Sequence, residues 1–185
     1  SANAENAIAI GTNAVGKITE SIAVGSSAQA QSANTIAIGR GAVASSPGVV
    51  TKTPGSRDVA ASAIAIGLEA NASSWGAISI GREAGLEIQN PTSATTNNIA
   101  IGNTARVGDK AAKNVSQSIA IGSGNHRDIN TEGRPEGAWA RGDQSIAIGG
   151  NVVANGNSSV AIGGDDLVAV TNTSYSGNAS DQFVY

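Results

Sequence analysis

The side chains best suited to binding chemistry gather in one stretch, residues 123–144. In a chain of 185 residues it holds seven charged residues, the only histidine and Trp139. Arginine and tryptophan are enriched among the residues that dominate protein interfaces, so this stretch predicts a binding surface. A second hypothesis stays open, in which the stretch is a solvated loop whose Trp139 packs back onto the fold. The candidate ligand contacts are Arg127, Arg134, Trp139, Arg141 and Asp143.

Within this stretch, Arg141-Gly142-Asp143 is the tripeptide that some integrins bind. A match of three residues arises by chance often. Asp143 also lies two residues before the strand that we expect to start at Ser145, which presents the turn poorly. We therefore interpret the tripeptide as a chance match.

Catalytic chemistry has little support in the sequence. His126 has no second histidine and no spaced carboxylates to complete a metal site, and there is no cysteine to act as nucleophile or zinc ligand. Glu132 and Glu136 lie near Asp143, but nothing in their spacing arranges them as an acid and base pair. We expect no enzyme activity, no catalytic residues, no metal and no cofactor.

The composition excludes two further classes of partner for this segment. The net charge of −3 leaves no basic stripe for nucleic acid. The longest apolar runs are far shorter than the roughly 20 residues that span a bilayer, so no membrane contact is expected. Aromatic residues make up 3% of the chain and charged residues 14%, against a usual charged share of about 25%, which indicates a turn-rich β fold.

The elements that must position these side chains are copies of one unit, Ile-Ala-Ile-Gly. Successive glycines of the unit are separated by 14 residues or by a longer interval, so the base period is 14. A second, weaker strand such as Ala28-Gln29-Ala30 follows the unit. The nine copies begin at Ile8, Ile22, Ile36, Ile64, Ile78, Ile99, Ile119, Ile146 and Val160.

Two short strands and two turns in 14 residues predict a solenoid that stacks each strand parallel on its equivalent in the next coil. We predict about ten coils, with one hidden in the 28-residue interval before Gly67, and a length of about 45 Å at the usual strand spacing. The repeats cover residues 1–167. The longer intervals predict inserts near residues 45–57, 86–97, 106–117 and 123–144.

Alternation along the strand places Ile and Val on one face and the intervening Ala on the other. We expect Ile and Val to fill the inside of the roll. The row of small residues then faces outward, where an uncovered strand would normally carry polar groups, so we expect it to pack against other copies. The candidate interface residues are Ala9, Ala23, Ala37, Ala65, Ala100, Ala120, Ala147 and Ala161.

The Ile-Ala-Ile-Gly unit, followed by Gly-x-x-Ala-x-Ala as in residues 25–30, resembles the repeats of YadA-like heads in trimeric autotransporter adhesins of Gram-negative bacteria. The resemblance implies a left-handed parallel β-roll and a homotrimer with three rolls about a threefold axis. It also implies a head on the cell surface that binds host extracellular matrix proteins or cell-surface receptors. In that family a stalk and an outer-membrane anchor follow the head, and residues 168–185 would lead toward them.

A structural role is the alternative function. In this hypothesis the roll is a rigid spacer that projects another binding domain from the cell surface. The charged inserts favour the adhesin, because a spacer needs only the 14-residue unit.

Overall fold

The fold consists of two parallel β-sheets wound from one chain. A computed structural model describes residues 1–46, 62–86, 95–109, 115–124 and 137–164, together with the backbone of residues 168 and 169. The first sheet contains the odd-numbered strands β1 (Ile8–Ile10), β3 (Ile22–Val24), β5 (Ile36–Ile38), β7 (Ile64–Ile66), β9 (Ile78–Ile80), β11 (Ile99–Ile101), β13 (Ile119–Ile121), β15 (Ile146–Ile148) and β17 (Val160–Ile162). The second sheet contains the even-numbered strands β2 (Val15–Gly16), β4 (Gln29–Ala30), β6 (Val43–Ala44), β8 (Asn71–Ala72), β10 (Gly85–Leu86), β12 (Arg106–Val107), β14 (Trp139–Ala140), β16 (Val153–Ala154) and β18 (Val168–Ala169).

Each coil of the chain contributes one strand to each sheet, and every pairing between coils is parallel. Equivalent residues of the repeat are in register, as in Ile8 opposite Ile22 and Ala9 opposite Ala23. The prediction of an all-β fold with parallel strands stacked at the repeat period is therefore confirmed. In the part of the chain described above, no helix is long and apolar enough to cross a bilayer.

The number of coils differs from the prediction. Strand β5 pairs directly with β7, with Ile36 opposite Ile64, and β6 pairs directly with β8. No coil therefore lies between these strands, and the described residues form nine coils instead of the predicted ten. At the usual strand spacing, nine coils span about 38 Å.

The prediction that Ile and Val fill the roll is wrong. The residues between the sheets are the small ones, Ala23 of the first strand with Ala28 and Ala30 of the second, all without exposed surface. The Ile and Val side chains of the first sheet point away from the roll, and Ile38 is 38% exposed. Most positions between the sheets carry alanine, although Val107 and Val152 are also buried there.

The corners of the coil depend on glycine at one position. Gly39 has φ +131°, and a Cβ built on it would lie 2.2 Å from the carbonyl oxygen of Gly67 in the next coil. Only glycine fits this close approach of one backbone to another. Residues with φ between 42° and 59° also occur around the coils, among them Glu20 and Asn34.

At the corner opposite the glycine, the residue directly before the first-sheet strand uses its hydroxyl group to bond the backbone. Thr35 Oγ1 donates to the carbonyl of Ser32 at 2.6 Å, and Ser145 Oγ donates to the carbonyl of Gly142 at the same distance. These hydroxyls lie inside the roll, where the hydrogen bond offsets the cost of burying them. Serine or threonine directly before the first strand of a coil therefore lies in the interior.

Candidate functional site

The residues of the candidate site lie both inside and outside the described part of the chain. Arg127, Arg134 and His126 lie outside the residues that the structure describes, as do most residues of the predicted inserts. Trp139, Arg141 and Asp143 belong to the described segment 137–164. These three follow one another along β14 and the corner after it.

Trp139 is buried although it occupies an outward position of the second sheet. Its neighbours Ala138 and Ala140 face the interior of the roll, and the tryptophan itself is 2% exposed. The indole Nε1 donates a hydrogen bond of 2.6 Å to the carbonyl of Gly108, one coil earlier. This placement is the one expected from the hypothesis that Trp139 packs back onto the fold.

Two arginines lie over the Trp139 ring. The guanidinium carbon of Arg141 is 4.4 Å from the ring centroid, and that of Arg106 is 4.9 Å away. Arg141 Nε donates to Asp109 Oδ2 at 3.0 Å, and its Nη2 pairs with the same oxygen. Cation–π and ionic contacts thus join β12, β14 and Asp109, two residues after β12, at one place. We call Arg106, Asp109, Trp139 and Arg141 the tryptophan cluster.

Asp143 forms hydrogen bonds at the corner that follows β14. Its Oδ1 accepts a 2.7 Å hydrogen bond from the Ser116 N–H, and its own N–H donates to Asn157 Oδ1 at 3.0 Å. Ser116 Oγ in turn accepts from the Thr96 N–H at 3.2 Å. The side chains of three successive coils therefore form a ladder, in which each accepts the N–H of the coil before it.

The Arg-Gly-Asp tripeptide has its arginine in the tryptophan cluster and its aspartate in the hydrogen-bond ladder. Arg141 is held by Asp109 and Trp139, and Asp143 is held by Ser116. Both charged side chains that an integrin would contact are engaged in contacts within the chain. The arrangement agrees with the interpretation of the tripeptide as a chance match.

Arg106 and Asp109 were not predicted as part of a site. A signal for Arg106 was present, because it occupies the same outward position of its coil as Trp139 does one coil later. Asp109 carries no such signal, since it follows the strand at the start of an insert. Among the described residues, no group of three or more His, Asp or Glu side chains is placed to hold a metal ion.

The predicted interface residues need correction as well. Ala23, Ala37, Ala65, Ala100, Ala120, Ala147 and Ala161 are buried inside the roll, each with at most 2% of its surface exposed. Ala9 in the first coil is only partly buried. The buried alanines offer no surface to another chain, because their side chains meet the second sheet of the same roll.

The surface of the first sheet belongs instead to Ile and Val. Two such residues per coil, over nine coils, form one continuous outer face. Ile10 is 60% exposed and Ile162 is 63% exposed, and Ile80 and Ile121 remain more than one third exposed. We call this surface the isoleucine face. An apolar face of this extent is typical of a surface that packs against another protein.

Comparison with known proteins identifies the repeat. The family described as the YadA head domain repeat matches residues 1–14, 19–42, 136–151 and 140–165. A search of the curated proteins finds no match. The matched segments include coils near both ends of the stack, and the intervening coils continue the same strand register. The resemblance seen in the sequence is confirmed, because these segments match YadA head repeats.

Proposed function

We propose that the chain is the head of a surface adhesin of a Gram-negative bacterium, which binds host extracellular matrix proteins or cell-surface receptors without catalysing a reaction. The match to YadA head repeats carries this proposal, because that family suggests an adhesin-type function. We further propose that the head is held at the outer membrane as part of a trimeric autotransporter.

Three copies pack through the isoleucine face in this proposal. The face is apolar, continuous along the roll, and opposite to the sheet that carries the tryptophan cluster. Packing three rolls on this face removes the apolar surface from water. The second sheet then points outward in every copy, so that ligand sites on it occur three times per head and raise avidity.

The tryptophan cluster supports a binding role for the insert beside it. Residues 125–136 connect Gly124 to Gly137, which lies two residues before Trp139. The cluster fixes β14, just after this insert, through the ring contacts and the Gly108 hydrogen bond. In this proposal Arg127 and Arg134 contact the ligand, whereas Trp139 and Arg141 hold the insert in place.

Deletion of the insert tests this assignment. Removing residues 125–137 leaves Gly122-Ser123-Gly124-Ala138-Trp139, which is the spacing from Gly102 to Arg106 in the preceding coil. We expect the shortened head to keep its strands and to lose binding to purified matrix proteins such as collagen, fibronectin and laminin by at least tenfold. Surface plasmon resonance of the trimer measures the loss, and circular dichroism measures the fold.

A second deletion serves as the matched control. Removing residues 88–94 restores the six-residue step from Leu86 to Ile99, which equals the step from Ala72 to Ile78. This variant should bind as the parent does. Equal binding by both deletion variants would assign adhesion to the roll itself, and absence of binding by the parent to matrix proteins and to host cells would favour the spacer.

A further inference from the structure

A strip of uncharged polar side chains crosses the outer face of the second sheet, away from the tryptophan cluster. In three successive coils the outward positions are Gln29 and Gln31, then Val43 and Ser45, then Asn71 and Ser73. All six are partly exposed. Successive strands lie about 4.8 Å apart, so Gln31, Ser45 and Ser73 present an amide and two hydroxyls at this spacing, whereas Val43 separates Gln29 from Asn71.

Hydrogen bonds within the strip fix its side chains. Gln31 Nε2 donates to Gln29 Oε1, Ser45 Oγ donates to Ser73 Oγ at 3.2 Å, and Ser73 Oγ donates to Asn71 Oδ1. Each amide nevertheless has more hydrogen-bonding groups than these bonds use. Within the described part of the chain, Gln29 Nε2 donates no hydrogen bond, and Gln29 is partly exposed.

Trp75 borders the strip on its third coil. The alternation that points Asn71 and Ser73 outward continues through buried Ser74 to partly exposed Trp75. Its backbone pairs with Thr96 of the next coil, which fixes its position at the corner. The indole N–H has no hydrogen-bond partner among the described residues, in contrast to the indole of Trp139.

We propose that this strip, formed by Gln29, Gln31, Ser45, Asn71, Ser73 and Trp75, binds an uncharged polysaccharide chain that lies across the coils. An aromatic ring with one polar edge can pack on the C–H face of a sugar ring while its N–H bonds a hydroxyl. Amides and hydroxyls fixed in place can then donate to and accept from the sugar hydroxyls. The proposal rests on the adhesin function, and it names a glycan as one class of host surface molecule.

The chemistry of the strip favours a neutral glycan over other ligands. Its six residues carry no charge, so an anionic glycan or nucleic acid gains no ion pair there. A compact protein ligand would need large apolar or arginine anchors, and Trp75 is the only such group in the strip. The strip lies on the sheet opposite the isoleucine face, so it stays accessible in the proposed trimer.

Tryptophan fluorescence of the intact protein tests the proposal. The probes are neutral β-linked hexasaccharides of glucose, N-acetylglucosamine, mannose and galactose, with a heparin hexasaccharide as the anionic comparison. Trp139 is buried, so a change in emission or in acrylamide quenching reports on Trp75. We expect at least one neutral hexasaccharide to protect Trp75 from quenching, and heparin to have no effect.

Variants connect binding to the strip. We expect Trp75→Ala to weaken binding of that hexasaccharide at least tenfold by calorimetry, and Trp75→Phe to keep part of the affinity. Gln29→Ala with Gln31→Ala should weaken binding as well. The matched control is Gln117→Ala with Gln144→Ala, a second hydrogen-bonded glutamine pair outside the strip, which should bind as the parent does.

Three results would overturn the proposal: no protection by any neutral hexasaccharide, protection by heparin alone, or equal binding by Trp75→Ala. The Trp75→Phe and glutamine variants keep the test valid if Trp75→Ala does not fold. Failure here leaves the adhesin proposal standing when the 125–137 deletion still abolishes binding to matrix proteins. Conversely, the head could bind a hexasaccharide through Trp75 and bind no matrix protein. That result would overturn only the proposal that the ligand is a matrix protein.

Discussion

At the residue scale, the tryptophan cluster joins two neighbouring coils that are more than 30 residues apart in the chain. Trp139 is the largest fully buried side chain, in a roll whose interior is otherwise mostly Ala and Ser. Its ring lies under Arg106 and Arg141, and its N–H bonds the carbonyl of Gly108. A ring buried in this way stabilises the fold through its area, through the hydrogen bond and through contact with the cations.

We predict that Trp139→Ala lowers the free energy of unfolding by about 3–5 kcal/mol, the usual range for removing a buried large aromatic side chain. Trp139→Phe should cost less, because it keeps the ring and loses the Gly108 hydrogen bond. The control is Val153→Ala, which truncates the partly exposed residue opposite Trp139 on the next strand. Denaturant unfolding of the three variants measures the difference. Similar losses for Trp139→Ala and Val153→Ala would contradict a stabilising role for the cluster.

The sequence indicated this cluster incompletely. The residue types in 123–144 were enough to select Trp139 and Arg141, but two hypotheses about their orientation stayed open. What decides between them is contact with Arg106 and Asp109, more than 30 residues earlier in the chain. Such contacts depend on which coils are neighbours after an insert, and the side chains alone do not determine this.

At the element scale, the coil depends on the close approach of glycines. Gly81 has φ +134°, and a Cβ on it would lie 2.3 Å from the carbonyl oxygen of Gly102. Equivalent contacts recur from coil to coil, as between Gly39 and Gly67. A side chain at this position would separate two parallel strands whose hydrogen bonds hold the sheet together.

We predict that Gly81→Ala destabilises the roll by about 3 kcal/mol or more, through backbone strain at positive φ together with overpacking against Gly102. Gly164→Ala is the matched control, because no atom lies within 4 Å of the Cβ position there. Thermal unfolding followed by circular dichroism should show a lower midpoint for the first variant only. Equal midpoints would mean that the stacked glycines can separate at little cost.

The period and the strand positions were predictable, but the direction of the side chains was not. A strand of alternating Ile and Ala has two possible inward faces, and choosing the wrong one reverses every side chain. We chose the larger side chains for the interior, as in most folds. Here Ala37 lies between the sheets without exposed surface, whereas Ile38 lies on the other face and is exposed.

At the scale of the whole molecule, the isoleucine face is the surface through which three copies pack in our proposal. Its residues are partly buried or exposed within one chain. A charge placed there would stay in water in a monomer, and it would be buried and repeated three times in a trimer.

We predict that Ile38→Asp with Ile80→Asp converts the trimer to monomers and leaves the strand content of each roll largely intact. Val43→Asp is the control, since Val43 faces outward from the opposite sheet. Light scattering coupled to size exclusion measures the mass of each variant. A trimer that survives both aspartates, or a parent protein that is monomeric at micromolar concentration, would contradict assembly through this face.

The direct pairing of Ile36 with Ile64 has a consequence for how such a head can change. The length of the roll along its axis depends only on the number of coils. The number of residues in the chain depends also on the segments inserted between strands. A segment gained or lost between Ala44 and Ile64 therefore leaves every later strand at the same height above its base. Corner segments can be exchanged one at a time, while the distance between the two ends of the head stays constant.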